Sequence, residues 1–378
     1  MKTTTTVEKI WLSPPHMGEN EERYVAEAFK TNWIAPLGPN VQQFENAIET
    51  FVANNTFAAC LSSGTAALHL ALDLLGVGLG DEVICQSFTF AASANPITYL
   101  GAKPIFVDSE RETWNICPNL LEKAIIDRID AGIKPKAIVA VHLYGMPYQV
   151  EKVHALSEKY DIPVIEDSAE ALGSTYNGKS CGTFGEMGVL SFNGNKIITT
   201  SGGGALLTKT KENKAKAVFL ATQARDNAPH YQHSAIGYNY RMSNVLAGIG
   251  RGQMEVLADR VSARRNNYNF YKKELSELAE ISFLEEPDGF ICNRWLTCIL
   301  TPNYSIREKL RLALELENIE SRPLWKPMHL QPVYNNNLAY TNGVSEELFS
   351  RGLCLPSGSN LTENDLKRIC NILKNVLQ

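Results

Sequence analysis

The sequence predicts an α/β protein with a large domain, built on a mostly parallel mixed sheet, and a smaller C-terminal α+β domain. Short apolar runs typical of strands alternate with helical patterns over the first two thirds of the chain. The chain has 378 residues, of which 44% are hydrophobic, and this is more than one small domain usually holds. Beyond about residue 264 the composition shifts. We place the domain boundary just before this shift, with a large domain over residues 1–255 and a small domain over residues 256–378.

The apolar runs of the large domain define its strands, because each is short and is bounded by turn-forming or polar residues. In chain order the predicted strands are Phe57–Leu61, Glu82–Gln86, Pro104–Val107, Ala137–Val141, Pro163–Ile165, Val189–Phe192 and Ala205–Thr208.

Helical spacing of apolar residues predicts the remaining elements. Helices are expected over Ser62–Leu72 after a short turn, from near Ala91, and from Ser243 to about Arg264. In the small domain we expect a strand over Trp295–Leu300, a charged helix over Ile306–Glu317 and a last helix over Leu366–Leu377, which a capping box at Thr362–Asp365 opens.

Composition and charge exclude several classes of protein. The formal net charge is −5, and no basic cluster is interleaved with aromatic residues, so we expect no nucleic-acid partner. No apolar stretch approaches the length of a membrane span, and Met1–Thr6 lacks a signal-peptide core. The eight cysteines show neither a C-x-x-C pair nor metal-ligand spacing. We expect a cytoplasmic protein with reduced thiols, without a metal site and without membrane contact.

One lysine stands out by its position. Lys196 lies in a short polar loop between two apolar runs, and a buried ammonium is costly unless it has a partner or a task. Another strand ends at Asp167. A lysine amine and a carboxylate in one crevice suit pyridoxal phosphate (PLP), since the amine forms a Schiff base and the acid keeps the pyridine nitrogen protonated. The alternative is an ordinary surface lysine in a loop.

A phosphate cradle is predicted beside them. Gly64 and Thr65 follow a strand and open a helix, where backbone N–H groups and a hydroxyl can bind a phosphate. Ser191, at the end of the strand before Lys196, could donate a hydroxyl to the same phosphate. An ordinary helix with a Ser or Thr cap is the alternative.

An aromatic pair and a second acid complete the candidates. Phe88 and Phe90 share a face of an extended segment, so one could belong to the core while the other covers a flat ring. Glu170 lies one turn after Asp167. It could contact the ring hydroxyl of PLP, or it could be a solvated helix residue.

Together these residues resemble a known family. The chain is similar over nearly its whole length to the sugar-nucleotide aminotransferases of the DegT type, which are PLP enzymes of the aspartate aminotransferase fold (fold-type I). The segments that carry the resemblance are Thr31–Pro39, Ser62–His69, Gln86–Ala91, Val141–Gly145, Glu166–Glu170, Ser191–Lys196 and Gly237–Met242.

The resemblance implies a role for each matching position. Lys196 would be the Schiff-base lysine and general acid/base, and Asp167 would hold the pyridine nitrogen. Phe90 would stack on the ring, whereas Glu170 stands where many members carry Gln. The residues implied to bind the phosphate are Gly64, Thr65, Ser191 and, toward the neighbouring subunit's cofactor, Asn239. A homodimer with shared active sites follows from the role of Asn239.

The substrate expectation rests on the same resemblance. A dehydratase branch of the family carries His in place of the Schiff-base lysine, so Lys196 favours transamination. The segments Ile34–Gly38 and Arg322–Gln331 resemble members that act on UDP-linked 4-keto-6-deoxy N-acetyl sugars, although dTDP- and GDP-linked substrates remain alternatives. In the second segment the candidate substrate contacts are Arg322, Trp325, Lys326 and His329. Trp325 could pack on a sugar or a base, or it could be a core or interface aromatic; Lys326 could meet a diphosphate. Arg322 could hold the carboxylate of the amino donor, for which glutamate is expected.

Two alternatives of other classes remain. A PLP-fold regulator without turnover is disfavoured because Lys196 and Asp167 are intact and no DNA-binding segment is evident. A PLP lyase or transferase such as a cysteine desulfurase would need a mobile nucleophilic cysteine, and none of the eight lies in an evident Gly-rich catalytic loop.

Overall fold

The computed structural model describes residues 8–377, and a large mixed sheet organises the first two thirds of them. The strands of these residues, in chain order, are β1 (Phe57–Leu61), β2 (Glu82–Gln86), β3 (Lys103–Val107), β4 (Ala137–Val141), β5 (Val164–Asp167), β6 (Thr175–Tyr176), β7 (Lys179–Ser180), β8 (Met187–Ser191), β9 (Gly204–Thr208), β10 (Ser282–Phe283), β11 (Phe290–Ile291), β12 (Thr297–Leu300), β13 (Arg322–Pro323), β14 (Ala339–Tyr340) and β15 (Gly352–Leu355).

The large sheet has eight strands in the order β1-β9-β8-β5-β4-β2-β3-β14. Strand β9 runs antiparallel to both of its neighbours, and the other neighbouring pairs are parallel. The predicted mostly parallel mixed sheet is therefore confirmed. All seven predicted strands of the large domain are present, with end points shifted by at most two residues.

Helices cover both faces of this sheet. The helices of residues 8–377 are α1 (Glu21–Lys30), α2 (Pro39–Val52), α3 (Gly64–Leu74), α4 (Asn95–Tyr99), α5 (Pro118–Asp130), α6 (Val150–Tyr160), α7 (Lys211–Ala221), α8 (Asn244–Glu255), α9 (Leu257–Glu274), α10 (Tyr304–Leu316), α11 (Val344–Arg351) and α12 (Glu363–Leu377).

Alternate residues of one strand pack against different helices, as the period of two requires. In β4, Ile138 belongs to the cluster that contains Ile125 of α5, whereas Val139 belongs to the cluster that contains Leu68 of α3. Because both faces are covered, all five residues of β4 are buried. This explains why the strand is a continuous apolar run in the sequence.

A second, antiparallel sheet forms in the C-terminal part, with the strand order β10-β12-β15-β13. Its apolar cluster includes Tyr271 of α9, Leu310 of α10 and Ile369 of α12. Several pairings cross the predicted domain boundary: Ile10 bridges Ile319, β14 pairs with β3 of the large sheet, and β11 pairs with β6. The boundary itself stays a prediction.

Some element boundaries differ from the expectation. The stretch predicted as one helix from Ser243 is divided into α8 and α9 at Val256, whose φ of −112° and ψ of 6° interrupt the helix. The helix expected near Ala91 is a 3₁₀ turn followed by the short α4. The capping box is confirmed, since Asp365 N donates to Thr362 Oγ1 and Thr362 N donates to Asp365 Oδ2.

The described residues also show whether the protein has membrane-spanning helices or disulfides. Among residues 8–377, no helix combines the length and the apolar character that crossing a bilayer requires. All eight cysteines are buried and unpaired by disulfides.

Candidate active site

A cleft of about 270 Å³ opens where the parallel strands β5 and β8 end. This is the edge at which open α/β sheets bind ligands, because loops and helix N-termini converge there. The residues that line it include Ser62, Ser63, Gly64, Thr65, Thr89, Phe90, Ser93, Asp167, Glu170, Ser191, Asn193, Asn195, Lys196, Gly202, Gly203, Trp295 and Trp325.

Lys196 points into this cleft, and its side chain is only 12% exposed. Its Nζ lies 3.5 Å from Glu170 Oε1 and 4.3 Å from the ring centroid of Trp295. A carboxylate and an aromatic face both stabilise an ammonium that is largely removed from water. Lys196 is therefore not a solvated loop lysine.

Asp167 is the last residue of β5, and it is buried at the floor of the cleft. Its Oδ2 accepts a hydrogen bond of 2.6 Å from Ser93 Oγ, and its Oδ1 accepts one of 3.2 Å from the backbone N–H of Ala169. Ser93 Oγ is in turn 2.7 Å from Thr89 Oγ1. These donors fix the carboxylate in one orientation, as a partner for a protonated ring nitrogen must be.

Glu170 is also buried, so the alternative of a solvated helix residue is excluded. One carboxylate oxygen faces Lys196, and the other accepts a hydrogen bond of 2.6 Å from the backbone N–H of Tyr144. Burial raises the pKa of Glu170, although the charge of Lys196 opposes that shift.

The residues predicted to form the phosphate cradle lie at the N-terminus of α3 and at the end of β8. Ser63 caps the helix, since Ala66 N donates to Ser63 Oγ. A Cβ atom at Gly204 would lie 2.4 Å from Gly64 N, and one at Gly64 would lie 3.1 Å from Ser191 Cβ. The helix terminus can approach β8 and β9 only because these positions are glycine. Hydroxyl and backbone N–H donors thereby line one end of the cleft, which fits the phosphate of PLP.

Phe88 and Phe90 have different environments, as one of the predicted possibilities stated. Phe88 is fully buried in the core, whereas Phe90 is 53% exposed and lines the cleft. Trp325 lies 5.3 Å from Phe90 between ring centroids and stacks on Tyr144, which stacks in turn on Trp295. PLP fits this set of groups: Lys196, Asp167, the N-terminus of α3 and the exposed ring of Phe90.

Several predicted residues lie elsewhere in this chain. Arg322 is exposed and donates two hydrogen bonds to Glu320, beside a separate surface depression. His329 contacts Ser87 at 2.6 Å through Nδ1. Lys326 is half-buried next to Trp325, and neither it nor His329 lines the cleft. Asn239 is exposed and does not line the cleft of its own chain.

Sequence reasoning missed Trp295, Ser93 and Tyr144. Trp295 lies about a hundred residues after the lysine loop and had no local signal beyond a strand pattern. Ser93 could have been found from its place in the turn that follows β2, where hydroxyls recur. Tyr144 could have been suspected because it lies three residues after the buried strand β4; its φ is 55°, and its N–H donates to Glu170.

Comparison with known proteins identifies the family of the chain. A profile of the DegT/DnrJ/EryC1/StrS aminotransferase family matches residues 15–374. The chain is 51% identical to EpsN of Bacillus subtilis (strain 168), whose name assigns it as a pyridoxal phosphate-dependent aminotransferase, over 97% of this chain and 95% of EpsN. It is 39% identical to the GDP-perosamine synthase of Escherichia coli O157:H7, over 94% and 95% of the two chains.

Solved structures give the same result. The PLP-form of Spr1654 from Streptococcus pneumoniae, which is named as a sugar aminotransferase, superposes with a TM-score of 0.90 at 26% identity, over 98% of this chain and all of that chain. The predicted fold and the predicted cofactor are thereby confirmed. The chain belongs to the DegT/DnrJ/EryC1/StrS aminotransferase family and is a pyridoxal phosphate-dependent sugar aminotransferase.

Proposed function

We propose that this enzyme transfers an amino group from glutamate to C4 of a nucleotide-linked 4-keto-6-deoxy sugar. The observation that carries the proposal is the convergence of Lys196 and Asp167 on one cleft, with the hydroxyl-lined cradle of Gly64, Thr65 and Ser191 at its end. Both half-reactions of a transaminase need this set: a fixed acid, a mobile amine and a phosphate anchor.

Each residue has a distinct task in the proposed site. Bound PLP supplies an electron sink next to the carbon that carries nitrogen. Asp167 holds the proton on the ring nitrogen. Lys196 moves a proton to and from the carbon that carries the transferred nitrogen. Glu170 holds the Lys196 amine in place when that amine is charged. Phe90 covers one face of the ring.

The proposal also names the nucleotide that is linked to the sugar substrate. The segments Ile34–Gly38 and Arg322–Gln331 favour a UDP-linked N-acetyl sugar, and Trp325 at the rim of the cleft is available to contact it. A second candidate is a GDP-linked sugar, because the E. coli relative at 39% identity is a GDP-perosamine synthase. Arg322 and His329 are engaged by Glu320 and Ser87, so we do not assign them to the substrate.

The proposed assembly is a homodimer with shared active sites. Tyr238 and Tyr240 stack on each other with ring centroids 4.9 Å apart, and both contact the ring of His69. In an extended segment the intervening side chain faces the opposite way. Asn239 is exposed there, which supports a contact with the cofactor phosphate of a second copy. We also propose a cytoplasmic location, because eight free, buried cysteines suit a reducing compartment.

The test is a panel of UDP-, dTDP- and GDP-linked 4-keto-6-deoxy sugars with glutamate as donor. Amine formation with the UDP-linked N-acetyl sugar at the highest kcat/KM is expected, and a preference for the GDP sugar would establish the second candidate. Lys196→Ala should abolish turnover with every substrate, while the exposed Lys216→Ala should not change it. Amine formation by Lys196→Ala would refute the catalytic assignment.

The same experiment separates the other classes. A regulator would bind a sugar nucleotide without bleaching of the cofactor band by glutamate. A desulfurase would release sulfur from cysteine, but no cysteine is among the described residues that line the cleft.

A further inference from the structure

The carbonyl group just before Lys196 receives two hydrogen bonds from distant parts of the chain. Ser13 Oγ donates to Asn195 O at 2.7 Å, and Trp295 Nε1 donates to the same oxygen at 2.7 Å. Ser13 precedes α1 in the chain, and Trp295 precedes β12. Neither belongs to the strands that flank the lysine loop.

Arg264 of α9 organises both donors. Its guanidinium donates to Ser13 Oγ at 2.9 Å and to Trp295 O at 2.5 Å. An arginine can only donate, so the Ser13 hydroxyl accepts from Arg264 and its own hydrogen is directed to Asn195 O. The contact with Trp295 O fixes the backbone of the residue whose indole carries the second donor.

Arg264 is buried at this point, so its hydrogen bonds matter for the stability of the arrangement. The side chain is 1% exposed, and among residues 8–377 it forms no ion pair with a carboxylate. A buried charge is costly unless its donors are satisfied. Within residues 8–377 the Arg264 guanidinium donates to Ser13 Oγ and to Trp295 O, which both lead to the lysine loop, while its Nε has no hydrogen-bond partner.

The segment that carries Ser13 is itself held firmly. Ile10 N donates to Asn318 O, Leu12 N donates to Glu320 Oε2, and Leu12 O accepts from Ser357 N. These contacts anchor residues 10–13 to the C-terminal part of the molecule. Ser13 therefore reaches Asn195 from a fixed position.

We propose that Ser13, Arg264 and Trp295 form a clamp that positions Lys196, so that the segment before α1 is part of the catalytic apparatus. Trp295 acts twice, because its indole N–H binds Asn195 O while its ring face lies 4.3 Å from Lys196 Nζ. Small displacements of a reacting group reduce the rate strongly, and a group on a loop needs such support. The inference rests on the proposed catalytic role of Lys196.

The first test uses Ser13→Ala, which removes one donor without a large change in volume. In the cofactor-free protein, hydrogen exchange at the amides of residues 193–197 should accelerate. In the loaded enzyme kcat should fall about two- to tenfold, the equivalent of one hydrogen bond, with both KM values within about twofold of wild type. Ser13→Thr keeps the hydroxyl and should restore both values.

A matched control is Ser359→Ala. Ser359 Oγ lies 3.0 Å from His16 Nδ1, so this change also removes a hydrogen bond to the segment before α1, but one that does not reach the lysine loop. Its exchange at residues 193–197 and its kcat should equal those of wild type. An unchanged kcat in Ser13→Ala, or exchange there no faster than in Ser359→Ala, would overturn the proposal.

The second test combines Ser13→Ala with Trp295→Phe, which keeps an aromatic ring but loses the N–H. Because both donors serve one oxygen, each single variant retains the other donor. The double variant should therefore lose more kcat than the product of the two single losses. A loss equal to that product would mean that the residues act independently and would refute a common clamp. Turnover by Lys196→Ala would instead refute the proposed function, and the exchange data would remain independent of it.

Discussion

Lys196 and Asp167 differ from the other lysines and acids of the chain by what surrounds them. Lys196 has a carboxylate at 3.5 Å and an indole face at 4.3 Å, and Asp167 accepts hydrogen bonds from a hydroxyl and a backbone N–H. Each side chain is largely buried and is held by these contacts at the cleft. Electrostatic effects between fixed groups are stronger in such a site than in water.

A first prediction at the residue scale concerns the charge of Asp167. Asp167→Asn keeps the volume and can still accept from Ser93, but it cannot hold a proton on a ring nitrogen. We expect turnover to fall roughly 100-fold or more, with a shifted cofactor absorption band. Steady-state kinetics and absorbance spectra measure this. Asp161→Asn, at a side chain that is 99% exposed, is the control, and an unchanged rate in Asp167→Asn would assign the ring nitrogen to another group.

At the scale of elements, strand β5 presents two acids to opposite sides. Asp167 faces the cleft, while Glu166 accepts hydrogen bonds from His142 Nε2 and from the backbone N–H groups of Gly182 and Gly185. Burial alone would raise the pKa of Glu166, but the hydrogen bonds from His142 and the backbone hold it below its usual value. Glu166 thereby fixes the end of β5 from which Asp167 projects.

The second prediction follows from this depressed pKa. Glu166→Gln should lower the free energy of unfolding of the cofactor-free protein at pH 7 by about 1–3 kcal/mol, since an amide cannot accept from all these donors. The ionised carboxylate stabilises the fold above the unfolded pKa of about 4.3, and that stability is lost as the pH falls through the folded value. The difference from wild type should therefore shrink below about pH 4.3. Thermal unfolding at pH 7 and pH 4 measures it, with the exposed Glu158→Gln as control. A difference that grows toward low pH would contradict it.

The contact of α3 with β9 is the second decisive element. Gly204→Ala places a methyl group 2.4 Å from Gly64 N and must push the helix N-terminus away from the strand. We expect the Kd of PLP to rise about tenfold or more, because the phosphate cradle is displaced. Fluorescence titration of the cofactor-free protein measures the affinity. Gly78→Ala is the control, since its added Cβ would have no neighbour within 4 Å, and it should bind PLP with the affinity of wild type. Wild-type affinity in Gly204→Ala would contradict the role of the cradle in phosphate binding.

At the scale of the whole molecule, the proposed shared site makes a prediction about mixed dimers. Lys196→Ala and Asn239→Asp should each be inactive, the second because it brings a negative charge to the phosphate. When the two chains are co-expressed, a heterodimer carries both lesions in one site and neither in the other, so activity should return in part. Differential tags isolate the heterodimer for the assay. A purified heterodimer without activity would place Asn239 in its own subunit's site.

The sequence by itself determined the strands and the polar residues at their ends, and it therefore predicted Lys196, Asp167 and the cradle residues as candidates. These signals are local, because strand periodicity and helix capping depend on residues only a few positions apart. The tertiary structure alone decided which distant side chains meet them. Ser13 and Trp295 lie 182 and 100 positions from Asn195, yet they share its carbonyl oxygen, and Arg322 is paired with Glu320 away from the cleft. Such contacts depend on how helices and sheets pack against one another, and no local pattern encodes that packing.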